Sequence, residues 1–171
     1  MPTYIFDDVF GDQRPGSKSP PVLYQPSTKE ANQWDAVGGT CSQCTLDVNR
    51  ALPLPLDPSM AKNGTWHTVT VDPGEPVTNL TVTFTGTALT AYCMLPPLFQ
   101  HDITSYTNMT FELDGAIVGH YHKEATSNWT YNFPVFSKGE LENREHTFVI
   151  SPQGQDGASA SYLVFDYITY E

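Results

Sequence analysis

Side chains spaced so that they could share a proton, a metal ion or a bond are few in this chain. His120-x-His122 is one such pair. A period of two puts both imidazoles on one face of an extended strand, where they could share a metal ion. No third ligand lies nearby in sequence, and a solvated strand face accounts for the pair equally well. Asp7, Asp8 and Asp12 form an acidic group at the opening segment. Carboxylate oxygens backed by main-chain carbonyls are what calcium requires, so a structural calcium at these three residues is one expectation. Bonding of strand-end carboxylates to turn amides is the other.

Catalytic groupings are missing from the pattern. Neither G-x-S-x-G nor H-E-x-x-H occurs, so neither an elbow nucleophile nor a zinc protease helix is present. The 19 Asp and Glu residues could include a glycosidase pair, but sequence does not fix the separation on which that mechanism depends. The expectation is a non-enzyme, with a small hydrolase as the least favoured class.

Three cysteines remain, Cys41 and Cys44 in GGTCSQC and Cys93 in an extended run. No βαβ pattern follows the C-x-x-C, which argues against thioredoxin-like chemistry, and no second Cys or His pair completes a zinc site. A local bridge between Cys41 and Cys44 with Cys93 as a buried small hydrophobe is the favoured arrangement, and a bridge between Cys44 and Cys93 its rival. Sequons at Asn63, Asn79, Asn108 and Asn128, each followed at the second position by Thr, predict N-glycosylation and hence an extracellular or cell-surface location.

Aromatic residues near loops are the candidates for binding. Sugars lay their apolar C–H side on flat rings while a few polar groups fix the hydroxyls. Trp34 and Trp66 lie in or beside long loops, His67 follows Trp66, and Trp129 and Tyr131 flank the turn ATSNWTY. These five are the expected ligand-binding residues, although an aromatic in a β protein more often packs than binds.

The elements that must position these groups are strands. In NLTVTFTG the residues Leu80, Val82 and Phe84 fall on one side and Thr81, Thr83 and Thr85 on the other, the alternation of a half-buried strand. Extended segments are expected at 4–10, 22–24, 66–71, 79–85, 87–94, 108–113, 116–122, 130–136, 145–151 and 161–170, with one helical turn around 29–34. Asp114-Gly115 predicts a tight hairpin, with Phe111, Leu113 and Ile117 marking its buried faces. In SYLVFDYITYE, Leu163, Phe165 and Tyr167 are expected on one face and Tyr162, Val164 and Ile168 on the other, as in a central strand. Many short antiparallel strands with little helix predict a single all-β domain over 1–171, a two-sheet antiparallel β-sandwich of the jelly-roll kind.

Lys and Arg total 8 against 19 acids, a formal net charge of -11. That field repels phosphate backbones and anionic lipid, which excludes nucleic acid and peripheral membrane binding as functions. No apolar run approaches the roughly 20 residues of a membrane helix, and residues 1–20 lack the apolar segment of a signal peptide. A mature ectodomain is expected.

Taken in order, IFDDVFGD, TCSQC, DPSMAKNGTWH, VTFTGTALTAYCML, NMTFELDG, NFPVFS, HTFVISP and LVFDYITY resemble a large family of secreted or single-pass membrane proteins of mushroom-forming fungi. The resemblance implies a galactose-binding-domain-like jelly roll and extracellular placement. It lends no catalytic residue. Members of that family often continue into a transmembrane helix, so a chain ending at Glu171 is expected to be a truncated or soluble form. Two function classes follow: a binding module for a glycan or cell-wall polymer, and a structural or adhesive ectodomain whose partner is a protein or a second copy.

Overall fold

The computed structural model describes residues 2–25, 34–37, 56–75, 78–98, 104–123, 126–153 and 160–171. The strands are β1 (Tyr4–Asp7), β2 (Gly11–Asp12), β3 (Leu23–Gln25), β4 (Asp35–Val37), β5 (Trp66–Val71), β6 (Asn79–Gly86), β7 (Leu89–Leu95), β8 (Thr107–Leu113), β9 (Ala116–Lys123), β10 (Thr130–Lys138), β11 (Arg144–Pro152) and β12 (Ser161–Tyr170). The only described helical pieces are two 3-10 turns, Pro58–Met60 and Lys62–Gly64. The expected helical turn falls almost wholly outside the described residues.

Two antiparallel sheets result. The first runs β10-β7-β12-β1-β2, and β5, which carries β4, pairs with β12 alongside β1. β12 therefore holds β7 along one side, while its other side is divided between β5 over Ser161–Phe165 and β1 over Tyr167–Tyr170. The second sheet runs β3-β6-β11-β8-β9. From β5 to β12 the chain crosses between sheets at every step but the β8–β9 hairpin, the alternation of a jelly roll.

Inward residues of both sheets make one core. Val82, Phe84, Phe111 and Phe148 of the second sheet meet Val69, Ala91, Cys93, Leu163 and Phe165 of the first. Cys93 is free and fully buried here, and burial pushes its thiol well above the usual range. That is the predicted small-hydrophobe role, and it excludes the Cys44–Cys93 rival in this structure; Cys41 and Cys44 lie outside the described residues. A second, smaller cluster of Leu56, Ala61, Trp66, Met94, Tyr162 and Val164 forms on the outer face of the first sheet, under the loop 56–65.

Three local departures from the sequence reading have one cause each. β1 ends at Asp7, because the Asp7 carboxylate accepts from the amides of Val9 and Phe10 and Gly11 takes a φ of 67°, turning the chain into β2. In β12 the register jumps, with Phe165 opposite Cys93 and Tyr167 opposite Tyr92. Asp166 is the extra residue of a bulge, which reverses the in-out phase. Tyr167 consequently faces outward and Ile168 and Tyr170 inward, the reverse of the simple alternation for Tyr167 and Ile168. The Asp114-Gly115 turn is present with φ values of 52° and 82°, the pair a twisted hairpin demands. Ile117, however, is 76% exposed, since β8 and β9 shift register between Phe111 and Glu112 and β9 is an edge strand.

Candidate functional site

The outer face of the first sheet carries the aromatic residues that solvent reaches. Met94 belongs to the outer cluster, so Tyr92, two residues earlier on β7, shares its face. Tyr92 lies opposite Tyr167 of β12 on one side and Pro134 of β10 on the other. The rings of Tyr92 and Tyr167 stack at 4.6 Å with planes 14° apart, and the Tyr167 hydroxyl donates across β7 to Oδ1 of Asn132 at 3.3 Å. Asn132 takes a φ of 50°, within the irregular stretch between Thr130 and Phe133, a conformation asparagine tolerates better than most residues. Burial, with the neighbouring Tyr92 and Asp166, pushes the Tyr167 hydroxyl up to about 12. It stays a neutral donor at any ordinary pH.

Toward the loop 56–65 the same face continues with Trp129 and Tyr131, both half-buried against the outer cluster. Their rings stack at 6.3 Å and 29°. The Tyr131 hydroxyl accepts from the Asp57 amide at 2.8 Å, which ties its ring to the loop. Further along, Thr90 and Ser137 share a hydroxyl bond at 3.0 Å. Half-exposed rings of Trp129, Tyr131, Tyr92 and Tyr167, flanked by uncharged Asn132, Thr90 and Ser137, are what this face presents.

Three buried carboxylates support it from beneath. The Lys62 amide donates to Asp166 Oδ1 at 2.9 Å, Asn63 Nδ2 to Asp7 Oδ2 at 2.6 Å, and Thr65 Oγ1 to Asp8 Oδ1 at 2.7 Å. The loop is thus pinned to β12 and β1. Burial holds the Asp166 carboxyl up at about 7, against the pull of the Lys62 amide and with help from Asp8 and Asp7, and its Oδ2 is buried without a partner. Burial also raises Asp8, in part offset by His67 and Thr65.

Several sequence-based expectations change at this point. Trp34 is 5% exposed, and its ring nitrogen donates to the carbonyls of Gln25 and Asn79, joining β3 to β6. Trp66 is 0% exposed beneath the loop, and His67 faces the interior, stacked on Tyr24 at 3.8 Å with Nδ1 2.8 Å from Asp8. None of the three offers a surface to a ligand; of the expected five, only Trp129 and Tyr131 do. The calcium group also changes. Asp7 and Asp8 are bonded to protein donors, and Asp12, although burial works against it, is held low by Ser17, Tyr170 and the Arg14 amide. Among the described residues no three His, Cys, Asp or Glu side chains converge on a cation position. The His120 and His122 rings do share a face at 5.5 Å, but His120 Nε2 is engaged by Asn108 Oδ1 at 2.5 Å.

Two His–Asp pairs are found among the described residues. His67 meets Asp8, and His146 Nδ1 meets Asp114 Oδ2 at 2.8 Å while its Nε2 lies 2.8 Å from the Glu142 carbonyl. Sequence reading missed Tyr92, Tyr167 and Asn132. Only the bulge, which no local pattern announces, brings them to one surface.

No family model matches the chain, and no curated protein does. Solved structures do show similarity. TmCBM61 in complex with beta-1,4-galactotriose aligns with a TM-score of 0.40 and 11% identity over 91% of this chain and 89% of that one. The enzymatically active domain of bacteriophage CBA120 tailspike protein 4 gives 0.45 and 10% identity, and the Agl-KA catalytic domain 0.41 and 12%. This chain covers 87% and 68% of its own length in those two alignments but only 19% and 23% of theirs. The sandwich assignment rests on the strand pairings themselves.

Proposed function

We propose that this chain is a non-catalytic extracellular binding module for a neutral carbohydrate or cell-wall glycan, and that it belongs with the fungal ectodomains it resembles. The observation that carries this reading is the outer face of the first sheet, where Trp129, Tyr131, Tyr92 and Tyr167 stand half-exposed beside Asn132, Thr90 and Ser137. Flat rings with uncharged hydrogen-bonding neighbours suit the apolar side and the hydroxyls of a sugar. Against a net charge of -11, uronate-rich or sulfated polymers are disfavoured. The engagement of both His146 ring nitrogens, by Asp114 and by the Glu142 carbonyl, supports the non-catalytic part. An array of fungal and plant glycans, probed with deglycosylated protein, tests the reading directly. Retention of a neutral glycan by the wild type and its loss in Tyr92→Ala and Trp129→Ala is the expected result.

A second reading has its own observation. Edge strand β9 leaves Ile117 at 76% and Val118 at 37% exposure, and a sheet edge with apolar side chains is a place for another chain to pair. A blank array together with concentration-dependent self-association would replace the glycan module with an adhesive ectodomain.

A further inference from the structure

We infer that Asn128 is the one sequon asparagine of the four that carries a glycan, and that its first sugar lies against Trp129. The fold treats the four amides differently. Asn108 on β8 is 7% exposed, with Oδ1 held by His120 and its backbone amide donating to Ser161 Oγ at 3.0 Å. A branched polymer on that nitrogen has no way out. Asn79 opens β6 half-buried, its Oδ1 closed off from solvent and its carbonyl accepting from Trp34. Asn63 is exposed along its edge, but its amide nitrogen turns inward to the fully buried Asp7 carboxylate at 2.6 Å. A sugar on that nitrogen would break the tie between the loop and β1.

Asn128 differs in each respect. It is exposed in the turn before β10, and among the described residues its amide nitrogen makes only a 3.4 Å contact with Ser127 of the same turn. Thr130 supplies the sequon hydroxyl. In the transfer, the Asn128 amide nitrogen attacks the anomeric carbon of an oligosaccharide carried on a polyprenyl diphosphate. A C–N bond replaces the C–O bond to phosphate, the diphosphate leaves with the electron pair, and the amide gives up one proton. The attached sugar begins one residue before Trp129, whose half-buried ring is stacked on Tyr131. An aromatic face so placed takes the apolar side of that sugar. Self-glycosylation would then cover the loop end of the aromatic face. Occupancy of Asn128 stands independently of the proposed function; only this covering rests on it.

The full chain, secreted from a eukaryotic host behind a leader, decides the matter. Enzymatic release of glycans in heavy-oxygen water converts each formerly occupied asparagine to labelled aspartate, and peptide masses from the folded fraction locate the label. Label at Asn128 and at none of the other three is expected. An unlabelled Asn128, or label at Asn63, Asn79 or Asn108, overturns the assignment. Contact with the ring is read by acrylamide quenching of tryptophan fluorescence, which reports Trp129 because Trp34 and Trp66 are buried. Quenching should be weaker in the glycosylated protein than in Asn128→Gln, and Trp129→Phe should remove the difference. Equal quenching in the two overturns the contact while the occupancy result stands. A blank glycan array would sink the binding module and leave both of these results intact.

Discussion

Trp66 and Trp129 serve the same face of one sheet and differ in how deeply the loop 56–65 buries them. Trp66 is 0% exposed, so Trp66→Ala should cost about 3–5 kcal/mol of stability, visible as a clear drop in thermal midpoint. Trp129→Ala, at a half-buried ring, should lower the midpoint far less than Trp66→Ala and weaken glycan retention. Retention unchanged in Trp129→Ala and Tyr92→Ala would remove the aromatic face from the function. A backbone position gives an independent check. Gly115 sits at a φ of 82° with open space where a Cβ would go, so Gly115→Ala should cost roughly 1–2 kcal/mol from conformation alone. Denaturant titration measures it, and a neutral result would contradict the turn. At this scale the sequence was informative for some loop-flanking aromatics and not for others. The turn ATSNWTY exposed Trp129 and Tyr131 to view, whereas Trp34 packs on Tyr24 between β3 and β6 and Trp66 lies under the loop 56–65, burial set by tertiary covering and not by local residue type.

Among the elements, β12 matters most, and its bulge has a titration consequence. Asp166 keeps its proton in the folded chain up to about 7 because it is buried, whereas in the unfolded chain it ionises near the ordinary carboxylate value of 3.8. The folded state therefore binds the extra proton between those values, and stability falls as pH rises through that window. Asp114 acts in the opposite sense. The Thr147 amide, with His146 and Arg144, holds it at about 2, so its contribution is present above 3.8 and lost as pH falls toward 2. Thermal midpoints should accordingly peak in mildly acidic buffer, and Asp166→Asn should flatten the decline toward neutral pH. A wild-type midpoint that climbs from pH 4 to 7 would contradict the buried neutral carboxyl. Strand existence was largely legible, since alternation in β6, β8 and β11 sets apolar residues against polar ones. β12 was legible as a central strand only. With apolar residues on both faces, nothing in SYLVFDYITYE marks where the phase reverses, and the reversal is what turns Tyr167 toward Tyr92.

For the whole molecule, the sandwich seals Cys93 between its sheets. A thiol reagent should label Cys93 only as the fold opens, with a rate that tracks global unfolding; prompt labelling of native protein would contradict its burial. Far-ultraviolet dichroism should report strand with almost no helix. The layered fold was readable from strand count and turn spacing, but the aromatic face was not, because it depends on which strands become neighbours across long sequence separations. Neighbour choice also decides how the molecule would respond to tension. β1 runs antiparallel to β12 with Tyr4 opposite Tyr170, so the first and last strands meet at one pole. A pull on the two ends loads this ladder pair by pair, from Tyr4 toward Asp7, and opens it like a zip instead of shearing all its bonds together. The peel arrives first at Asp7 and Asp8, the carboxylates that anchor Asn63 and Thr65. Stretching would thus slacken the loop behind Tyr131 before the sandwich parts, making the aromatic face the first region to respond to force.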